Sequence, residues 1–316
     1  MPQNVVMTVH AARRLWLSLE PLHDAVYFAP AVRDTGIGLG LRGYWMTYFA
    51  FRAAPLGPVG PAAVVAMFAG FQPEMVARAL PDAWSRVSPQ ACLAARAEVS
   101  AQALRAAGVD PAACGAVAEL LAPAAAVADA TGRPLFAANA AVPVPGDPVA
   151  ALWQVATTMR EHRGDGHVAA LVAAGVSGIQ AHLLQLAAGR FPSDVIQRAR
   201  GWTEQDWAGA TARLRARGLL TGDAVPPLAG EAVPPPAGEA VPPQTGPGRV
   251  SLTAPGRALL TDIEARTDEA AWAGCLAALG ETAVDEVVSL LRPSVDALYE
   301  SGLLPPVNPT GLPMRA

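Results

Sequence analysis

The sequence predicts a mostly α-helical chain, with an N-terminal helical domain and a C-terminal domain that carries a small β-hairpin. Three observations lead there. Ala-rich stretches that begin after Ser, Thr or Pro and stop at Gly or Pro recur along the 316 residues, the punctuation of capped helices. Only residues 219–220 and 249–253 read as strands. Between those strands, residues 222–245 read GDAVPPLA, GEAVPPPA, GEAVPPQT, three copies of an octapeptide. Pro before Pro and frequent Gly forbid regular structure there.

The elements follow in order. In the first domain, 1–140, residues 11–19 follow Thr8 as an N-cap and stop at Pro21. Residues 41–54 carry GYWMTYFAFRAA and close at Pro55 and Gly57. Residues 62–71 and 74–87 are short helices split by Gln72-Pro73. Residues 89–107 form a long helix ending at Gly108, and 111–130 another with a break near Pro123. A linker, AVPVPGDP at 141–148, opens the second domain, 149–316. There 150–161 is a helix, His162-Arg163-Gly164-Asp165-Gly166-His167 a polar loop, and 168–188 a helix interrupted at Gly175 or Gly178. Ser193 caps a short helix, 194–200, and Gly201-Trp202 makes the turn. Thr203 caps a helix running to Arg217, with Glu204 and Asp206 in its first turn, where acids suit the dipole. Helices at 254–266, 270–279 and 281–291 complete the chain. The insert at 222–248 is read as a spacer; a partner that reads proline-rich segments is the alternative.

Helix, short helix, tight turn, capped helix, strand, loop, strand, helix is the order of a winged helix-turn-helix. The stretches TEQDWAGATARLRARGLLTG and GRVSLTAPGRALLTDIE resemble MarR-like regulators, which places the repeat at the tip of the wing. A wider resemblance rests on EPLHDAVYFAP, GLRGYWMTYFAFRAAPLGPV, ALPDAW, GRPLFAAN, EHRGDGHVAALV and RGWTEQDWAGA. Through these the chain is similar to the actinobacterial SalK-like helix-turn-helix proteins from about residue 11 to 292. That resemblance implies architecture and says little about activity.

Composition bounds the function. With 52% hydrophobic and 16% charged residues the chain is expected to fold. A net charge of -4 excludes a globally basic nucleic-acid coat. All 23 cations are Arg, so a Schiff-base or Walker-type lysine is excluded. Cys92, Cys114 and Cys275 form no disulfide framework. The longest apolar runs are too short to span a bilayer, and no secretion signal is visible. A cytoplasmic location is therefore expected, with no membrane partner; a homodimer is compatible with the chain, and no cofactor is indicated.

Two sets of residues are candidate sites. The EHRGDGH segment brings His162, Asp165 and His167 within six residues; a His beside an Asp suits acid–base catalysis. The same three could ligate a metal, though none is assigned, and capping of helix ends is the plain alternative. Ten of the 18 aromatics lie between Trp16 and Phe71. His23, Arg42, Tyr44 and Arg52 among them, with Arg163, suit an acidic, partly aromatic ligand; a packed core with stacked Arg is the alternative. His182, fifteen residues after His167, falls on the same side of a continuous helix and reads as an interior His. For DNA, Arg198, Arg200, Gln205 and Arg213 are the candidate contacts. Glu204 and Asp206 at the start of the recognition helix oppose a phosphate-lined groove, so DNA binding is not favoured. The expected function is small-molecule binding between the two halves, with an enzyme of specialised metabolism using His/Asp chemistry as one form of it. A ligand-responsive transcription regulator is the alternative.

Overall fold

The computed structural model describes residues 2–190, 193–222, 250–305, 310 and 312; the proline repeat, from 223 onward, lies outside them. Among these the chain is almost wholly helical. The first helices are α1 (Pro2–His23), α2 (Ala25–Phe28), α3 (Pro30–Gly38), α4 (Gly43–Ala53), α5 (Pro61–Phe68), α6 (Pro73–Ala77) and α7 (Asp82–Arg86). Then come α8 (Pro89–Ala106), α9 (Pro111–Val127), α10 (Pro134–Ala140), α11 (Pro148–Ala173) and α12 (Gly178–Ala187). The last part holds α13 (Ser193–Arg200), α14 (Glu204–Ala216), β1 (Leu220–Thr221), β2 (Ser251–Leu252), α15 (Ala254–Gly274) and α16 (Glu281–Glu300).

Proline does two jobs here. It opens α3, α5, α6, α8, α9, α10 and α11, where its missing N–H would have no helical partner anyway. Ser88, Asp110, Asp147, Thr203 and Thr253 accept hydrogen bonds from the first-turn N–H groups of α8, α9, α11, α14 and α15. Pro21 and Pro123, expected to end or break helices, instead lie inside α1 and α9. Those helices pack along α11 and α16, and burying a whole apolar face outweighs one lost backbone hydrogen bond.

The buried apolar residues fall into two cores. The first core is built from residues 11–159 and again from 271–312. The second is built from 170–263 and holds Trp207, Leu183, Leu184 and Ile263. Helices α11 and α15 run through both cores. The polar stretches of each, 160–167 and 264–268, fall where the helix passes from one core to the other.

The second core carries the helix-turn-helix. Gly201, at φ +74°, makes the turn between α13 and α14; a Cβ there would lie 2.7 Å from Met75 Sδ. Thr203 and Asp206 form a capping box on α14. Trp207, Ala210, Thr211 and Leu214 face inward against α12. Strands β1 and β2 pair antiparallel, with Leu220 opposite Leu252 and Thr221 opposite Ser251. That two-stranded ladder is the described part of the expected hairpin.

Candidate functional site

A cavity of about 240 Å³ opens where the two cores meet. Tyr44, Trp45 and Tyr48 of α4 line one side, with Phe68 and Phe71 beside them. The rings of Tyr48 and Phe71 lie 5.3 Å apart, and those of Trp45 and Phe71 6.1 Å apart. Helix α11 contributes Arg160, Glu161, Arg163, Gly164 and His167; α12 contributes Gly178, His182 and Gln185. Arg13 and Glu20 of α1, Arg200 of α13 and Glu264 of α15 complete the polar wall.

The charges are arranged in two networks. Arg52 reaches Glu161 with Nε–Oε1 at 3.1 Å and Nη2–Oε2 at 3.3 Å. Arg160 bridges Glu161 and Glu20. Burial works against the Glu161 charge, but Arg52 and Arg160 together hold its carboxyl down at about 2. In the second network Arg163 and Arg13 share Asp268 and Glu264. Burial again opposes the Glu264 charge, and the two arginines hold it at about 2. Six guanidinium groups line the cavity, of Arg13, Arg52, Arg160, Arg163, Arg190 and Arg200. They face Glu20, Glu161 and Glu264, with Asp268 behind, which leaves two positive charges in excess among the described residues. The two histidines of the wall add none. Burial pushes His167 down to about 4 and His182 to about 3, helped by nearby Arg163 and Arg200 respectively.

Of the residues expected to bind a ligand, the structure brings Tyr44, Arg52 and Arg163 to this cavity, and His167 with them. It places His23 elsewhere. His23 is buried behind Tyr27, with Nδ1 3.0 Å from Thr157 Oγ1 and Nε2 2.9 Å from the Tyr27 hydroxyl. Arg42 is exposed and ion-paired with Asp82, away from the cavity. Sequence reasoning missed Arg13, Arg160 and Glu264, because nothing local to each shows that α1, α11 and α15 cross at one place.

The segment His162–His167 is not a loop but the middle of α11, which is unbroken from Pro148 to Ala173. Neither of its glycines makes a turn, and Gly166 marks a close approach. At Gly166 the Arg133 guanidinium crosses the helix to donate to the His162 and Ala270 carbonyls; a Cβ would lie 2.8 Å from Arg133 Nη1. Helical geometry then sends His167 away from His162 and Asp165, which share Phe136. His162 packs edge-on against Phe136 at 4.8 Å, and Asp165 accepts the Phe136 backbone N–H at 2.9 Å. His167 points to the other side, its Nδ1 3.0 Å from Thr267 Oγ1. Among the described residues no His–Asp hydrogen bond forms and no group of three His, Cys, Asp or Glu side chains is placed to hold a metal. Burial pushes Asp165 up to about 6 and His162 down to about 4, so folding favours the uncharged form of each.

The expected DNA contacts also separate. Gln205 and Arg213 are exposed on α14. Arg200, at the end of α13, turns inward instead: its guanidinium lies 4.4 Å over the Phe71 ring and lines the cavity. The helix-turn-helix therefore touches the cavity directly. Gly70 O accepts from Trp202 Nε1 at 2.9 Å and lies 3.1 Å from His182 Nε2, while Gln72 N–H donates to Arg200 O at 2.9 Å. Ala69 has φ +55°, the one positive φ outside glycine among the described residues. It sits against Gly178, where a Cβ would meet Ala69 O at 1.6 Å.

No described helix is long and apolar enough by itself to cross a membrane. No curated protein and no solved structure matches the chain. A family model described as a helix-turn-helix family matches residues 12–305. That match spans both cores and every wall of the cavity apart from Thr310, and the chain belongs to this helix-turn-helix family.

Proposed function

We propose that this protein binds a small organic anion with an aromatic or apolar body in the cavity between its two cores. The observation that carries this reading is the charge balance: two positive charges in excess, in a cavity walled by Tyr44, Trp45, Tyr48 and Phe71. A partly buried excess of like charge favours an anion that offsets it. The rings supply area for an apolar body, and guanidinium groups suit a carboxylate. Small-molecule binding in a SalK-like chain of specialised metabolism, with a MarR-like winged helix as its second unit, is consistent with this reading. A thermal-shift series of small organic acids tests it. At least one aromatic acid should raise the melting temperature, and filling the cavity by Ala181→Trp should abolish the rise. If no organic acid shifts the melting of the parent chain, or copurifies with it, the reading is wrong.

The second reading is a ligand-responsive DNA-binding regulator, supported by the family match and by the exposure of Gln205 and Arg213 on α14. Glu204 and Asp206 open the same helix and Arg200 is turned away from it, so we expect weak, salt-sensitive, non-specific binding. A footprint on the gene's own promoter, at sub-micromolar protein and physiological salt, would reverse the order of the two readings.

A further inference from the structure

The cavity wall holds a feature that neither helix nor turn explains alone. Phe68 and Phe71, 6.5 Å apart, each carry a guanidinium on a face: Arg52 at 4.0 Å from Phe68, Arg200 at 4.4 Å from Phe71. Arg52 comes from α4, in the first core; Arg200 is the last residue of α13, the first helix of the helix-turn-helix. Glu161 occupies the Nε and Nη2 edge of Arg52. The remaining edge, through Nη1, reaches the Tyr48 hydroxyl at 3.2 Å, and Arg200 bonds that same hydroxyl. Two cations thus converge on one phenol at the cavity wall, each raising the electrostatic cost of the other.

We propose that Arg52 and Arg200, meeting at Tyr48, form the anion subsite of the cavity, and that a carboxylate seated between them ties the helix-turn-helix to α4. This rests on the reading that the cavity binds an organic anion, and it names the group recognised and what its binding does. Two guanidiniums from separate elements bind a carboxylate with charge-assisted hydrogen bonds that neither makes alone. The ring of an aryl carboxylate then lies along Tyr44, Trp45 and Phe71. The residues on either side of Phe71 bond the helix-turn-helix, Gly70 O accepting from Trp202 and Gln72 N–H donating to Arg200 O. Drawing Arg200 toward Arg52 therefore sets the position of α13, and through Gly201 that of α14. A ligand can bias an element only by its different contacts in the two positions, and Arg200 supplies them.

The test uses the full chain with 2-naphthoate and its uncharged counterpart 2-naphthamide as probes, followed by calorimetry and by hydrogen–deuterium exchange of residues 196–216. We expect the carboxylate to bind at least ten-fold tighter than the amide. Arg200→Gln should remove that preference by weakening the carboxylate at least ten-fold more than the amide, and Arg200→Lys should retain part of it. The carboxylate, and not the amide, should slow exchange in α13 and α14. Equal binding of both probes by the parent chain, or an undiminished preference in Arg200→Gln, overturns the subsite while leaving the cavity reading intact. A carboxylate preference without any change in exchange overturns the tether. Failure of both probes to bind the parent chain overturns the proposal, and the thermal-shift series of organic acids decides the cavity reading separately.

Discussion

Residues 160–167 of α11 and residues 67–71 at the end of α5 both border the cavity, yet they are built on opposite principles. The first is dense in ionisable groups, and nearly all of them are consumed within the fold. Arg160, Glu161 and Arg163 are ion-paired, and His162 and Asp165 face Phe136. The second, Met67-Phe68-Ala69-Gly70-Phe71, carries no charge. It holds a left-handed alanine, a carbonyl shared by two partners and two rings that support guanidinium groups. The contrast teaches that a polar run marks a seam that must be neutralised. The responsive place is where an apolar segment is pinned from both sides.

Glycine substitutions should break this comparison most sharply. At Gly178 an added Cβ meets the Ala69 backbone, with the oxygen at 1.6 Å and the carbonyl carbon at 2.5 Å. Gly178→Ala should therefore cost about 3 kcal/mol or more, because backbone cannot step aside as a side chain can. At Gly166 the obstacle is the far end of Arg133, so Gly166→Ala should cost about 1 kcal/mol or less. At Gly164 the nearest atom is Glu161 Oε2 at 3.4 Å, an ordinary contact. Gly164→Ala should stabilise α11 by up to about 1 kcal/mol through helix propensity. Denaturant unfolding of the three variants checks the order; equal costs would show that the two segments are equally tight.

Acidification sharpens the same comparison. His162 and His167 titrate at about 4 and His182 at about 3, all below the ordinary 6.5. The unfolded chain therefore takes up these protons first. The stability the three sites contribute is complete above about pH 6.5 and is lost as pH falls toward 4 and 3. Melting temperature should drop across that interval, and His182→Gln should flatten the drop. A melting temperature that stays constant from pH 7 to 4 would contradict the burial of these rings.

Asp165 has the opposite sign. Its carboxyl is raised to about 6, so its contribution is present at low pH and is lost as pH rises through 6. Asp165→Asn keeps the acceptor for the Phe136 N–H and removes the buried charge. We expect little change in stability near pH 3.5, below the ordinary value of 3.8, and a gain on the order of 1 kcal/mol or more at pH 8. A loss at both values would mean that the charge itself has a partner in the fold. The smallest effect is expected from the hairpin. Thr221 pairs with Ser251 and Val250 is buried in the second core, so replacing only residues 223–249 by Asn-Gly shortens the connection and keeps both the antiparallel pair and the core. Melting should change by no more than about 1 kcal/mol.

The local signals in the sequence determined the elements. Thr203 before Glu204, Ser193 after Pro192, Gly201 and Gly218 place α13, the turn and α14 within a residue or two of where they lie. Capping and turn chemistry act over four residues and are written in those four. The aromatic stretch around α4 likewise announced Tyr44 and Arg52, both of which line the cavity. What only the tertiary structure decided is which polar groups meet. Gly164 and Gly166 read as turn residues because the reason for them, Arg133 crossing the helix and an open cavity beside it, lies far away in the chain. His162, Asp165 and His167 are neighbours in sequence, but a helix turns successive residues by about 100°, so His162 and Asp165 face Phe136 while His167 is sent to Thr267. Arg52 and Arg200 stand 148 positions apart and are brought to one hydroxyl by the packing of two cores. Charge can be counted from a sequence, but the distances that give it meaning are set by burial.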